Sequence, residues 1–167
     1  MSLILDGSAG VTFPNGSNAQ AAPSKVLQVV QGSTNTFTAI TSTSYTDTTL
    51  SATITPLFST SKILAIVTQT AYTGINANTM QTASVQLVRA STSVYNINYA
   101  VGGRAGTSAD GYVLMGGIAS FSYLDSPATT SATTYKVQGK VSTSSNYGTL
   151  YCQDGVYSTI QLLEIAA

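Results

Sequence analysis

Ser61 to Tyr72, SKILAIVTQTAY, is the stretch that most limits what this chain can become. It opens with Ile63, Leu64, Ala65, Ile66 and Val67, an apolar run too short to span a membrane and too rich in β-branched side chains to favour a helix. Such a run reads as a strand covered on both faces, at the centre of a sheet. Just before it, Leu50 to Pro56 (LSATITP) alternates apolar and hydroxyl side chains until Pro56 stops it. That predicts a neighbouring strand, joined through the polar turn around Ser59, Thr60 and Ser61.

The same grammar continues along the chain. Val26 to Val30 and Thr36 to Ile40 read as strands separated by Gly32-Ser33, and Ala83 to Ala90 carries Val85 and Leu87 on one face. From Ser93 to Val101, Tyr95, Ile97 and Tyr99 alternate with Asn96 and Asn98, the period of a half-covered strand. Tyr112 to Leu124 puts Val113, Met115, Ala119, Phe121 and Tyr123 on a shared face, with Gly116-Gly117 marking a bulge or bend. Tyr135, Val137 and Val141 alternate with Lys136, Gln138 and Lys140; Asp154-Gly155 reads as a two-residue hairpin between 148–153 and 156–166. No segment has a helical period. Eight to ten strands with turns at this spacing predict an all-β fold, an antiparallel jelly-roll-like β-sandwich over residues 25–167.

Residues 1–24 differ. Asp6-Gly7 and Pro14-Asn15-Gly16 are turn signals, and Asn18 to Ser24 is small and polar with Pro23 breaking regularity. This reads as an extended N-terminal arm, too thin to bury its own Leu3, Ile4, Leu5, Val11 and Phe13. Either it is disordered or it lies along another subunit and orders on contact, with those five residues as the partner-binding set. Asn15-Gly16-Ser17 fits the N-glycosylation pattern, but Met1 leads into SLILDGSAG without the basic start and apolar core of a secretion signal, so it reads as a turn. The expectation is a product made in the cytoplasm.

Charge narrows the function. Lys plus Arg is 6, Asp plus Glu is 6 and His is 0, so the formal net charge is +0 and 7% of residues are charged, against about 25% in ordinary soluble proteins. A free monomer with so little charge has weak protection against association, which points to a surface occupied by copies of itself or by a partner. Without a basic excess there is no footprint for nucleic acid, and no apolar run is long enough for a membrane helix.

The residues offer little chemistry. With no histidine, the commonest general base and the Ser-His and Cys-His pairs are missing, and the expectation is a protein that is not an enzyme and needs no cofactor. Cys152 stands alone, which rules out an internal disulfide and suits a buried strand position. Of the six carboxylates, Asp110 and Asp154 precede glycine and Asp125 lies two residues before proline, the habits of turns. A calcium site from Asp47, Asp110 or Asp125 would lack the regular acidic spacing of a known loop, so no metal is assigned. Gly102-Gly103-Arg104-Ala105-Gly106 lacks the spacing of a phosphate cradle and reads as a hairpin tip whose Arg104 would reach a partner carboxylate. Ten tyrosines and no tryptophan leave two uses open for Tyr95, Tyr99, Tyr112, Tyr147, Tyr151 and Tyr157: filling half-covered strands and subunit contacts, or forming a receptor or sugar platform.

Gly10-Val-Thr-Phe-Pro-Asn-Gly-Ser17 resembles a leader that recurs in phage virion proteins of the fibre and head-associated kinds. The body resembles small β-sandwich virion proteins of cyanophages and other aquatic tailed phages. The residues carrying the resemblance are Tyr45-Thr-Asp47, Leu50 to Pro56, Ser61-Lys-Ile-Leu64, Leu87-Val-Arg89, Tyr123 to Pro127, Thr134 to Val137 and Leu163 to Ala166. It implies a virion structural protein on the capsid surface: a homotrimeric cement or decoration protein bound across the major capsid protein by its body and arm. The alternative is a head- or tail-fibre tip binding a host surface glycan through Tyr95, Tyr99 or Arg104.

Overall fold

The protein's structure, a computed structural model, describes residues 4–6, 10–12, 18–19, 25–76, 80–104, 112–142 and 148–167. In the leader, β1 (Ile4–Asp6), β2 (Gly10–Thr12) and β3 (Asn18–Ala19) pair with one another as a small antiparallel sheet. Among the described residues the body contains ten strands: β4 (Val26–Thr34), β5 (Thr38–Ile40), β6 (Thr46–Ile54), β7 (Lys62–Asn76), β8 (Met80–Arg89), β9 (Thr92–Arg104), β10 (Tyr112–Asp125), β11 (Thr133–Val141), β12 (Thr149–Cys152) and β13 (Ser158–Ile165). All pairings are antiparallel.

The apolar run of the opening stretch is the middle of β7, the longest strand. One edge of β7 pairs with β10 from Ile63 to Asn76. The other edge pairs first with β13 and then with β12, and beyond these lie β4 and β5 in the same end-to-end fashion. Taking β4/β5 and β12/β13 each as one interrupted strand leaves eight positions. The β7 sheet then runs first, eighth, third, sixth, and the facing sheet β6-β11-β8-β9 runs second, seventh, fourth, fifth. Those are the two interleaved sheets of an eight-stranded jelly roll.

Four readings change in this frame. Leu50 to Pro56 is not a neighbour of β7 within one sheet; β6 belongs to the facing sheet, and residues 55–61 cross between the two. Asp154-Gly155 turns the chain, with Gly155 at φ 77°, but it joins two strands that lie end to end on β7 rather than pairing with each other. Gly32-Ser33 does not break β4, which continues to Thr34; Gly32 is where β4 crosses β6, and a Cβ there would stand 2.0 Å from the Ser51 carbonyl oxygen. Gly116-Gly117 makes no bulge, since the β10–β7 register is unbroken.

The inward faces follow the alternation. Ile63, Ala65 and Val67 of β7 meet Val85 and Leu87 of β8 and Tyr135 and Val137 of β11 in the main core. A second cluster, including Ile40, Ala71, Val141, Leu150 and Cys152, fills the other end. Between them Gln69 points inward from β7: its Oε1 and the Val137 carbonyl both lie 3.0 Å from the Thr48 hydroxyl, while its amide donates to the Ser158 hydroxyl at 3.0 Å and the Thr70 carbonyl at 2.9 Å. A buried amide is tolerated because each end has a partner. Burial pushes the lone Cys152 thiol up to about 12, which keeps it a packing group rather than a nucleophile.

Candidate functional site

The surface of interest begins with a mismatch between sequence and single chain. The unbroken apolar run of β7 calls for cover on both faces, yet the described residues cover only the inner one; Leu64 and Ile66, on the outer face, are half-buried. Register extends Leu64 into a row across the whole sheet: Val29 lies opposite Leu163, Leu163 opposite Leu64, and Leu64 opposite Leu124. Val29 and Leu124 are exposed, and along β10 so are Ile118 and Leu114. Gln31, Gln161, Ser120, Ser122, Thr68 and Thr159 fill the rows between, and Lys62 is the charged residue that β7 adds to this face. An apolar patch with hydroxyl and amide neighbours and few charges has the composition of an interface core.

At the same end of the sandwich, the β6–β7 crossing displays Leu57 and Phe58 to solvent. It is held by Glu164, which points inward from β13. The Glu164 carboxylate accepts from the Leu57 and Phe58 amides at 2.8 and 3.3 Å and from the Gln28 side chain at 2.6 Å. Burial works against its charge, but these donors prevail and hold it below the ordinary carboxylate value. A second tie joins the sheets: Arg89 of β8 donates to both Asp125 oxygens at 2.8 and 2.7 Å, and the Tyr135 hydroxyl of β11 donates to Asp125 at 2.6 Å. Desolvation, reinforced by Asp125, raises the Tyr135 phenol far above its usual range.

The residues expected to meet a partner are dispersed. Ile4 and Leu5 lie in β1 with Leu5 opposite Val11 of β2, whereas Leu3, Phe13 and the Pro14-Asn15-Gly16 turn lie outside the described residues. Tyr95 and Tyr99 do not share a face: Tyr95 packs on Phe121 and Tyr123, with ring centroids 5.3 and 5.4 Å away. A bulge in the β8–β9 register then breaks the alternation, and Tyr99, at φ 60° and 72% exposed, turns toward Lys140 and Asn98. Arg104 ends β9 opposite Met80, with its side chain outside the described residues, as are residues 105–111 and Tyr147. Asp47 is taken up by Lys136 and Gln138 at 2.9 and 2.7 Å, and no group of three potential metal ligands occurs among the described residues.

One aromatic arrangement went unread in the sequence. Phe37, Tyr151 and Tyr72 stack across the outer face of the β7 sheet, with centroid separations of 6.0 and 4.9 Å. Tyr151 and Tyr72 are register partners, a relation that only the strand pairing reveals.

The fold thus places the chain among eight-stranded jelly rolls. No protein-family model and no curated protein matches it. Among solved structures, it is similar to a chain of the infectious bursal disease virus Gx strain, at 18% identity and TM-score 0.38, covering 83% of this chain and 32% of that one. It is also similar to the VP2 subviral particle of infectious bursal disease virus, at 14% identity and TM-score 0.35, covering 98% of this chain and 41% of that one. This chain therefore spans less than half the length of either, and at TM-scores this low the likeness carries no argument.

Proposed function

We propose that this chain is a bacteriophage virion structural protein, a trimeric cement protein that binds across capsid subunits through its body and its leader, residues 1–24. The observation that carries the reading is the outer face of the β7 sheet, where the described residues leave a row from Val29 through half-buried Leu163 and Leu64 to Leu124 without a covering layer. Copies of the same chain and neighbouring capsid subunits are the occupants proposed for it. A formal net charge of +0 favours such association over a solitary particle. The resemblance of the leader and body to phage virion proteins supports a place on the virion. Three leaders on one body would raise the effective concentration at each contact, so that weak individual grips add to a firm one.

The test is location followed by deletion. Tail-less heads of the parent virion should retain the polypeptide in many copies, and a chain lacking residues 1–24 should fold but fail to bind heads stripped of it. Heads devoid of the protein, or full binding by the truncated chain, would defeat the cement reading.

A further inference from the structure

The gap between β12 and β13 creates a pocket that the assembly reading does not use. After Cys152 the chain leaves the edge of β7 and returns at Ser158. Thr70, opposite the gap, keeps its bonds: its amide donates to the Ser158 hydroxyl at 3.0 Å and its carbonyl accepts the Gln153 backbone amide at 3.4 Å. The displaced loop stands beside Tyr72, whose hydroxyl donates to Asp154 Oδ2 at 2.6 Å. On the far side, Gly116 of β10 is the register partner of Tyr72, and a Cβ built on it would meet only the Tyr72 Cβ, at 3.8 Å. The outcome is a pocket of about 300 Å³ lined by Thr70, Tyr72, Gly116, Gln153, Asp154 and Val156, among others.

Gln153 is the unusual member. It is 2% exposed, yet neither its side-chain nitrogen nor its oxygen has a partner among the described residues, and its backbone sits at φ 69°. Buried amides are nearly always bonded at both ends, and left-handed backbone at a non-glycine residue is itself unfavourable. Two such features on one residue lining a pocket mark a place held ready for something else.

The lining specifies the ligand. Gln153 lines the pocket and carries, beneath its surface, an amide donor and acceptor that the described residues leave unused, Asp154 offers acceptors, and Tyr72 supplies an aromatic wall. Asp154 is the only charged residue of the lining, which disfavours an anion, and a ligand able only to donate would leave half of the amide unused. We propose that this pocket binds a neutral pyranose at the end of a glycan chain. Adjacent ring hydroxyls exchange hydrogen bonds with the Gln153 amide, another donates to Asp154, and the C–H face of the sugar rests on Tyr72. The proposal stands or falls independently of whether the chain sits on a phage head.

The test is a titration of ¹⁵N-labelled full chain with methyl glycosides of glucose, galactose, mannose and N-acetylglucosamine, which stand in for chain ends. At least one should shift the Gln153 side-chain amide saturably. Gly116→Leu, which fills the pocket from an exposed strand position, should weaken that binding at least about tenfold. Gln153→Asn, which tolerates the left-handed backbone and withdraws the amide, should do the same and guards against misfolding of the first variant. No shift with any glycoside at high millimolar concentration, or affinity in both variants unchanged from that of the parent chain, would overturn the proposal.

Discussion

Glu164 is sheltered completely from solvent, but it lies at the end of the sandwich, where backbone amides can reach it. Its carboxylate is held below the ordinary value of 4.5, so the folded state binds its proton less readily than the unfolded chain. The stability this contributes is therefore complete above that ordinary value and disappears as the pH falls through the lower, folded one. Glu164→Gln would replace one accepting oxygen by an amide that confronts other donors. It should cost about 1–2 kcal/mol in urea unfolding at pH 7 and flatten the loss of stability on acidification below pH 4.5; an unchanged acid profile would contradict the assignment.

At the scale of strands, the inward-facing residues were legible because alternation is a local property: Val85 with Leu87, and Tyr135, Val137 and Val141, are all buried. Pairing was not legible in the same way. Asp154-Gly155 announces a turn, but whether the flanking strands pair with each other or lie in line is decided by the edge of β7, far away in the chain. The pocket was hidden for that reason: Tyr72, Gly116 and Gln153 meet only through register, and Tyr99 left its expected face through a bulge that its own side chains do not signal. Gly32, read as punctuation, is a crossing point. Gly32→Ala would press a methyl group against the Ser51 carbonyl and should cost about 3 kcal/mol, with unfolding by urea or heat as the readout. A neutral result would mean that β4 and β6 do not cross this closely.

For the molecule as a whole, the prediction concerns its uncovered face. Val29 and Leu124 are exposed at opposite edges of the β7 sheet and make no demand on the core, so Val29→Lys with Leu124→Lys should leave unfolding within about 0.5 kcal/mol per site. Light scattering of the parent chain should report a trimer, and the doubly charged variant should dissociate or lose its place on heads. A variant that assembles as before would move the contact to another face. The arrangement also has a practical side. The Ala166 amide is bonded to the Lys25 carbonyl at 2.8 Å, so the leader departs from the spot where the carboxyl end arrives. Cargo fused after Ala167 would be carried to the foot of residues 1–24, at the end of the sandwich where Arg89 meets Asp125, so it would crowd the Ala90–Ser91 turn as well.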